Sequence, residues 1–258
     1  MSTRQEPWPQ GTPSWVDLSS PDPAASNAFY GSLFGWDIHD SGPEMGNYGM
    51  CMVDGRPVAG IGPQMGGDNA PPAWLTYLAV DDVEKVAEAV AAHGGTVVAP
   101  PMAVGDAGRM AVAQDPTGAF VGLWQAGVTI GMERYNEPGA VVWNEHLSRD
   151  TQRARDFYGG VFGYEFTPVE GAEYWTFSLG SGQGPVGGLG ALPAEAPGDL
   201  PSHWMTYFMA ANVDESAARA EELGASVAQA PFDTPFGRIA VIVDPQGTIF
   251  SILTEPAG

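Results

Sequence analysis

The chain of 258 residues has room for about two ordinary domains, and its 44% hydrophobic content supports a sizeable core rather than disorder. Charged residues are few and unbalanced, 31 acidic against 10 basic, and Lys85 is the only lysine. The resulting net charge of −21 repels nucleic acid and anionic membranes, excludes both as partners, and is compatible with a neutral or cationic small molecule. The single cysteine, Cys51, permits neither an internal disulfide nor a cysteine-based zinc site. No apolar stretch reaches the roughly 18 residues of a membrane span, and residues 1–12 carry neither region of a signal peptide. The expectation is a cytoplasmic protein.

In chain order, residues 1–11 read as a tail. Trp15–Ser19 alternates as a short strand. Asp22, followed by Pro23, is an N-cap that starts a helix running to Phe34 and stopped by Gly35. Three short apolar runs follow at Trp36–Ile38, Tyr48–Val53 and Pro57–Ile61; Cys51 sits between Met50 and Met52 as a small buried hydrophobe. The scheme then repeats. A strand at Leu75–Val80 leads to a helix from Asp82 to His93, with Val83, Val86, Ala87 and Val90 on its apolar face. Gly94-Gly95 ends it, and strands follow at Thr96–Ala99, Arg109–Gln114 and Phe120–Trp124.

The second half of the chain answers the first. Ser14-Trp15-Val16-Asp17-Leu18 returns as Val142-Trp143-Asn144-Glu145-His146, and Phe29-Tyr30-Gly31-Ser32-Leu33-Phe34-Gly35-Trp36 returns as Phe157-Tyr158-Gly159-Gly160-Val161-Phe162-Gly163-Tyr164. Trp74-Leu75-Thr76-Tyr77 matches Trp204-Met205-Thr206-Tyr207, and Asp115-Pro116-Thr117-Gly118 matches Asp244-Pro245-Gln246-Gly247. The offset stays within 128 to 130 residues, as a duplicated domain requires. The division is 12–126 and 139–256, joined by a linker at 127–138. Phe232 to Gly237 reads as a turn that delivers Arg238 to the next strand. Gly182 to Gly190 is glycine-rich without the Lys or the helix of a phosphate-binding loop.

Four strand–helix–three-strand units, with Phe29-Tyr30-x-x-Leu33-Phe34-Gly35-Trp36 and Asp115-Pro116-x-Gly118, resemble the vicinal-oxygen-chelate superfamily of glyoxalases, bleomycin-resistance proteins and extradiol dioxygenases. The resemblance implies an α+β fold of two tandem glyoxalase-like domains. Each would pair two βαβββ modules into a partly open barrel around a pocket, and the two domains would pack as a pseudo-symmetric pair. Metal-using members hold a divalent ion with four His, Gln or Glu side chains. The matching positions here are Trp15, Gly60, Leu75 and Gly122, and Trp143, Gly188, Met205 and Ser251. None is an ordinary ligand for such an ion, and the four histidines do not cluster in the sequence. No metal and no other cofactor is expected.

Strand alternation then decides which side chains line the pockets. Trp15, Asp17 and Ser19 face inward in the first half, with Val16 and Leu18 under the helices; Trp143, Glu145 and Leu147 face inward in the second. Neighbouring strands add Leu75, Tyr77, Phe120, Gly122 and Trp124, or His203, Met205, Tyr207, Ile249, Ser251 and Leu253. Each pocket is aromatic-walled with one carboxylate, which either meets Arg109 or Arg238 or has its pKa raised in a dry site. His146 falls on the helix side as a hydrogen-bonded core histidine, and Trp36, Trp74 and Trp204 fill cores.

The reading is a metal-free pocket that binds, among Trp15, Asp17, Tyr77, Arg109, Trp124, Trp143, Met205, Arg238 and Ser251, a hydrophobic, aromatic small molecule such as an antibiotic or secondary metabolite. The alternative is a cofactor-independent tailoring enzyme, an isomerase, cyclase or hydroxylase component, with Glu145 as base and His203 or Tyr207 stabilising negative charge.

Overall fold

The computed structural model describes residues 2–43, 46–64, 71–180, 182–194 and 196–254. After a short strand β1 (Ser2–Thr3), the first half runs β2 (Pro13–Ser20), α1 (Pro23–Phe34), β3 (Asp37–Asp40), β4 (Gly49–Val53), β5 (Arg56–Pro63), β6 (Ala73–Ala79), α2 (Val83–Ala92), β7 (Thr96–Val104), β8 (Gly108–Gln114) and β9 (Phe120–Ala126). The connecting β10 (Arg134–Tyr135) pairs with β1. The second half repeats the order as β11 (Val141–Ser148), α3 (Thr151–Phe162), β12 (Glu165–Pro168), β13 (Tyr174–Ser178), β14 (Gly187–Ala191), β15 (His203–Met209), α4 (Val213–Glu222), β16 (Ser226–Thr234), β17 (Gly237–Val243) and β18 (Ile249–Thr254).

Each half forms one eight-stranded mixed sheet, in the order β3-β4-β5-β2-β6-β9-β8-β7 and β12-β13-β14-β11-β15-β18-β17-β16. Neither sheet closes into a barrel among the described residues. The two sheets share their registers: Trp15 pairs with Tyr77 as Trp143 pairs with Tyr207, each beside a bulge at the start of its strand.

Local chemistry sets the helix ends. Asp22, Asp82, Asp150 and Asn212 each accept a hydrogen bond from a first-turn N–H. Gly35 and Gly163 end α1 and α3 with φ of 72° and 70°, a left-handed cap in which a Cβ would be strained. Two strands run further than the sequence predicts. β7 continues through Pro100 and Pro101 to Val104 because it is a sheet edge, and its pairing shifts between Ala99 and Met102, where the prolines owe no ladder hydrogen bond. Phe232–Thr234, expected in a turn, belong to β16, and the reversal is confined to Pro235 and Phe236.

The helices lie between the two sheets, and both main cores draw on both halves. α1 packs with α4, Phe208 and Phe250 of the second half, while α2 packs with α3, Phe177 and Trp204. Trp36, Trp74 and Trp204 are buried there. Reciprocal hydrogen bonds cross the seam. Tyr30 of α1 donates to Asp244 at 2.9 Å, and Tyr158 of α3 donates to Asp115 at 3.0 Å. Behind them Trp74 donates to Tyr30 and Trp204 to Tyr158. Asn144 accepts from both Thr76 and Thr206, at 3.0 and 3.2 Å. His146 is fully buried with Nε2 2.7 Å from Asp115 Oδ2, where the first half carries Leu18.

Burial alone would raise the Asp115 carboxyl, but hydrogen bonds from His146 and Thr117 hold it below the usual carboxylate range. A depressed folded-state pKa stabilises the fold above the unfolded value and loses that contribution as pH falls through the folded one. D115A should cost about 3–5 kcal/mol in urea unfolding by leaving His146 and Tyr158 unpaired. D115N should flatten the loss of stability below about pH 4; an acid limb identical to wild type would remove Asp115 from this role.

Candidate functional site

The outward, concave face of the first sheet carries a cavity of about 280 Å³. Trp15, Asp17 and Ser19 of β2 face it, joined by Tyr48, Met50, Tyr77, Met110 and Trp124. Trp15 Nε1 donates to Tyr48 Oη at 3.0 Å, and Tyr48 Oη lies 3.5 Å from Asp17 Oδ2. Tyr77 hydrogen-bonds the same carboxyl. Burial outweighs these two phenols and pushes the Asp17 carboxyl up to about 7. Such a group accepts a hydrogen bond, pairs with a cation, or exchanges a proton near neutral pH.

The second sheet rebuilds the arrangement. Tyr174 donates to Glu145 Oε2 at 2.8 Å, Tyr207 donates to Oε1 at 2.5 Å, and Trp143 Nε1 donates to Tyr174 Oη at 2.9 Å. Glu145 is raised by burial against the lowering effect of both phenols. Its surroundings are tighter. Met205, Tyr207, Ile239 and Leu253 form a buried cluster against Trp143 and Leu147. Phe236, from the β16–β17 hairpin, tilts against Tyr174 at 6.1 Å between centroids; Ala107 stands at the corresponding turn of the first half and lines the open cavity.

Other expected residues lie elsewhere. Arg109 pairs with Glu84, and Arg238 pairs with Asp214 at 2.6 Å and Asp233 at 2.9 Å, so neither meets a pocket carboxylate. Both sit beside helices rich in acidic residues, which hold them outside. His203 does not pair with Glu145: its Nδ1 lies 2.9 Å from the Pro201 carbonyl, and burial lowers its pKa. Phe120 and Ile249 are 50% and 39% exposed at the mouths of their strands rather than enclosed in a pocket. Ser251 is buried on β18 opposite Tyr207.

Strand alternation alone misses Tyr48 and Tyr174 beside these carboxylates, because Tyr48 precedes its strand and reaches across to the next. The signal was the glycine pair on that neighbour. A Cβ at Gly60 would come within 1.7 Å of Tyr48 Oη, and one at Gly188 within 1.8 Å of Tyr174 Oη. Gly62 and Gly190 lie under the same two rings. Glycine within a strand marks a close approach of this kind.

Models of known families match both halves: the Glyoxalase/Bleomycin resistance protein/Dioxygenase superfamily over residues 12–123, and a Glyoxalase-like domain over residues 140–253. The chain belongs to this superfamily. It is 44% identical over 254 residues to "Putative glyoxylase CFP32" of Mycobacterium tuberculosis, covering 96% of each chain. It is 37% identical over 262 residues to "Anthracycline biosynthesis protein DnrV" of Streptomyces peucetius, covering 94% of this chain and 93% of that one. In fold it is similar to the Mn(II)-bound glyoxalase of Novosphingobium aromaticivorans, with a TM-score of 0.67, 17% identity and coverage of 96% and 83%. The LapB 2,3-dioxygenase of Pseudomonas sp. KL28 gives 0.66, 14%, 96% and 95%.

The superfamily's divalent ion does not fit these residues. Indole, glycine and leucine at positions 15, 60, 75 and 122 offer no side-chain donor suited to one, and the Tyr48 hydroxyl occupies the space a longer side chain at position 60 would need. Among the described residues no group of three or more His, Cys, Asp and Glu is placed to hold a metal.

Gly60→Ala should therefore displace Tyr48 from Asp17 and cost about 1–3 kcal/mol. In the Gly60→Ala/Tyr48→Ala pair the losses should be smaller than the sum of the singles by about 1 kcal/mol or more. Additive losses in urea unfolding would show that the ring does not depend on the bare backbone.

Proposed function

We propose that this protein binds a flat, largely apolar aromatic small molecule of secondary metabolism in the first-half cavity, without a metal, as a binding or sequestration protein. The observation that carries this reading is a set of four aromatic side chains, Trp15, Tyr48, Tyr77 and Trp124, arranged around the single carboxylate of Asp17. Aromatic faces supply contact area and stacking, and a lone polar group fixes orientation. The cavity volume, about 280 Å³, lies just below the usual range for small-molecule sites, roughly 300–1,000 Å³, as suits a compact ligand. The relative DnrV, an anthracycline biosynthesis protein of Streptomyces peucetius, supports an aromatic secondary metabolite as the ligand class. The reciprocal hydrogen bonds across the seam support two halves paired within the chain. No helix among the described residues is long and apolar enough to cross a membrane.

A second reading, acid–base catalysis without a cofactor, is favoured by the Asp17 carboxyl itself, which titrates at about 7 on the wall of a cavity. It moves the catalytic pair from Glu145 and His203 to Asp17 with Tyr48 or Tyr77.

Tryptophan-fluorescence quenching against a panel of tricyclic and tetracyclic aromatic metabolites, with mass and chromatographic retention recorded after incubation, separates the readings. Saturable quenching with ligand recovered unchanged is expected, and Trp124→Ala should weaken it by about tenfold or more. Altered mass or retention, abolished by D17N, would establish the enzyme instead. Absence of saturable quenching across the panel would overturn the aromatic-ligand reading.

A further inference from the structure

We propose that the ligand's polar group is a protonated amine, held by Asp17 within the ring of aromatic faces, and that its binding releases a proton to solvent. This rests on the reading of the first-half cavity as an aromatic-ligand site and names the class of molecule it takes.

The lining points to a cation. Asp17 is its one ionisable carboxylate, and no Lys, Arg or His is among the described lining residues. An anionic ligand would face Asp17 with nothing to compensate it. Arg109, on the strand that supplies Met110, is turned to Glu84. The indole N–H groups of Trp15 and Trp124 are already committed, to Tyr48 and to the Thr129 carbonyl, so the rings present faces rather than donors. A carboxylate surrounded by aromatic faces is the arrangement that recognises an ammonium, through an ion pair and cation–π attraction together. The net charge of −21 adds a field that concentrates cations around the protein.

The two halves differ in the way the proposal needs. Both oxygens of Glu145 are taken by short bonds from Tyr174 and Tyr207, beside a buried apolar cluster. Asp17 is hydrogen-bonded by Tyr77, has Tyr48 Oη at 3.5 Å, and keeps an edge on the cavity. The groups facing Asp17 are Tyr48, from the segment before β4, and Tyr77 of β6, both neutral because burial pushes their hydroxyls well up. Cys51 of β4 is raised by burial as well. β5 contributes Gly62, β8 Met110 and β9 Trp124, none of which titrates. Asp17 is therefore the group that changes charge. Its carboxylic acid gives its proton to water, and the resulting carboxylate pairs with the ligand's ammonium.

Three matched probes test this: anthracene bearing an aminomethyl, a hydroxymethyl or a carboxylate group. At neutral pH the amine should bind about tenfold or more tighter than the alcohol, and the carboxylate weakest. Calorimetry in paired buffers of different ionisation enthalpy, each pair buffering at the pH used, should show proton release per bound amine approaching one at about pH 6 and vanishing at about pH 8.5. In D17N, amine and alcohol should bind within about twofold of each other, without proton release. If that variant does not fold, the wild-type ranking and proton count decide. Equal affinity of amine and alcohol, or proton release that persists in D17N, overturns the amine assignment while leaving aromatic binding intact. Failure of all three probes to bind overturns both.

Discussion

Two buried carboxylates, Asp115 and Asp244, hold the arrangement on which everything else depends. Each sits in the turn before the last strand of one half and accepts a hydrogen bond from a tyrosine on the first helix of the other. Each is also bonded by backbone N–H groups of its own turn, so the charge is buried with its hydrogen-bonding capacity used. The crossing draws the helices between the sheets, where the apolar residues of both halves share two cores. The concave faces are thereby left pointing outward, and a pocket becomes possible on each.

Duplication gave both pockets the same parts, and small substitutions then separated them. A tryptophan, a carboxylate and two tyrosines recur at matching positions. Around them, Ser19, Met110 and Trp124 on one side stand against Leu147, Ile239 and Leu253 on the other, and Ala107 against Phe236. Leu147 in place of Ser19 and Phe236 in place of Ala107 add apolar bulk to the second site, and the longer Glu145 reaches both phenols. The shorter Asp17 stays at the edge of open space. Trp15 and the bare backbone at Gly60 leave room for the Tyr48 hydroxyl beside Asp17.

Much of this was legible in the chain. The repeat, the helix cap at Asp22, the second helix starting at about Asp82, and the inward set Trp15, Asp17 and Tyr77 follow from periodicity and turn chemistry, which are local. Three things were not. Tyr48 and Tyr174 lean across a neighbouring strand, and only the glycines beneath them betray it. The ion pairs of Arg109 with Glu84 and Arg238 with Asp214 join a strand to a helix. In the sequence an inward and an outward arginine look alike, since a long side chain at a strand end can reach either way. His146 was placed on the helix side by alternation, but its partner, Asp115 of the other half, required the packing of the halves to be seen.

The claim that the first-half cavity is the ligand site is tested most directly by fluorine NMR of protein labelled with fluorotryptophan, assigned by single Trp→Phe variants, as a tricyclic aromatic probe is added. Trp15 and Trp124, which line the first-half cavity, should shift or broaden in proportion to occupancy, while Trp143, which packs against the buried cluster of the second half, holds its position. Movement of Trp143 alone, or of none of the three while the probe binds, would contradict the assignment and place the site elsewhere on the molecule.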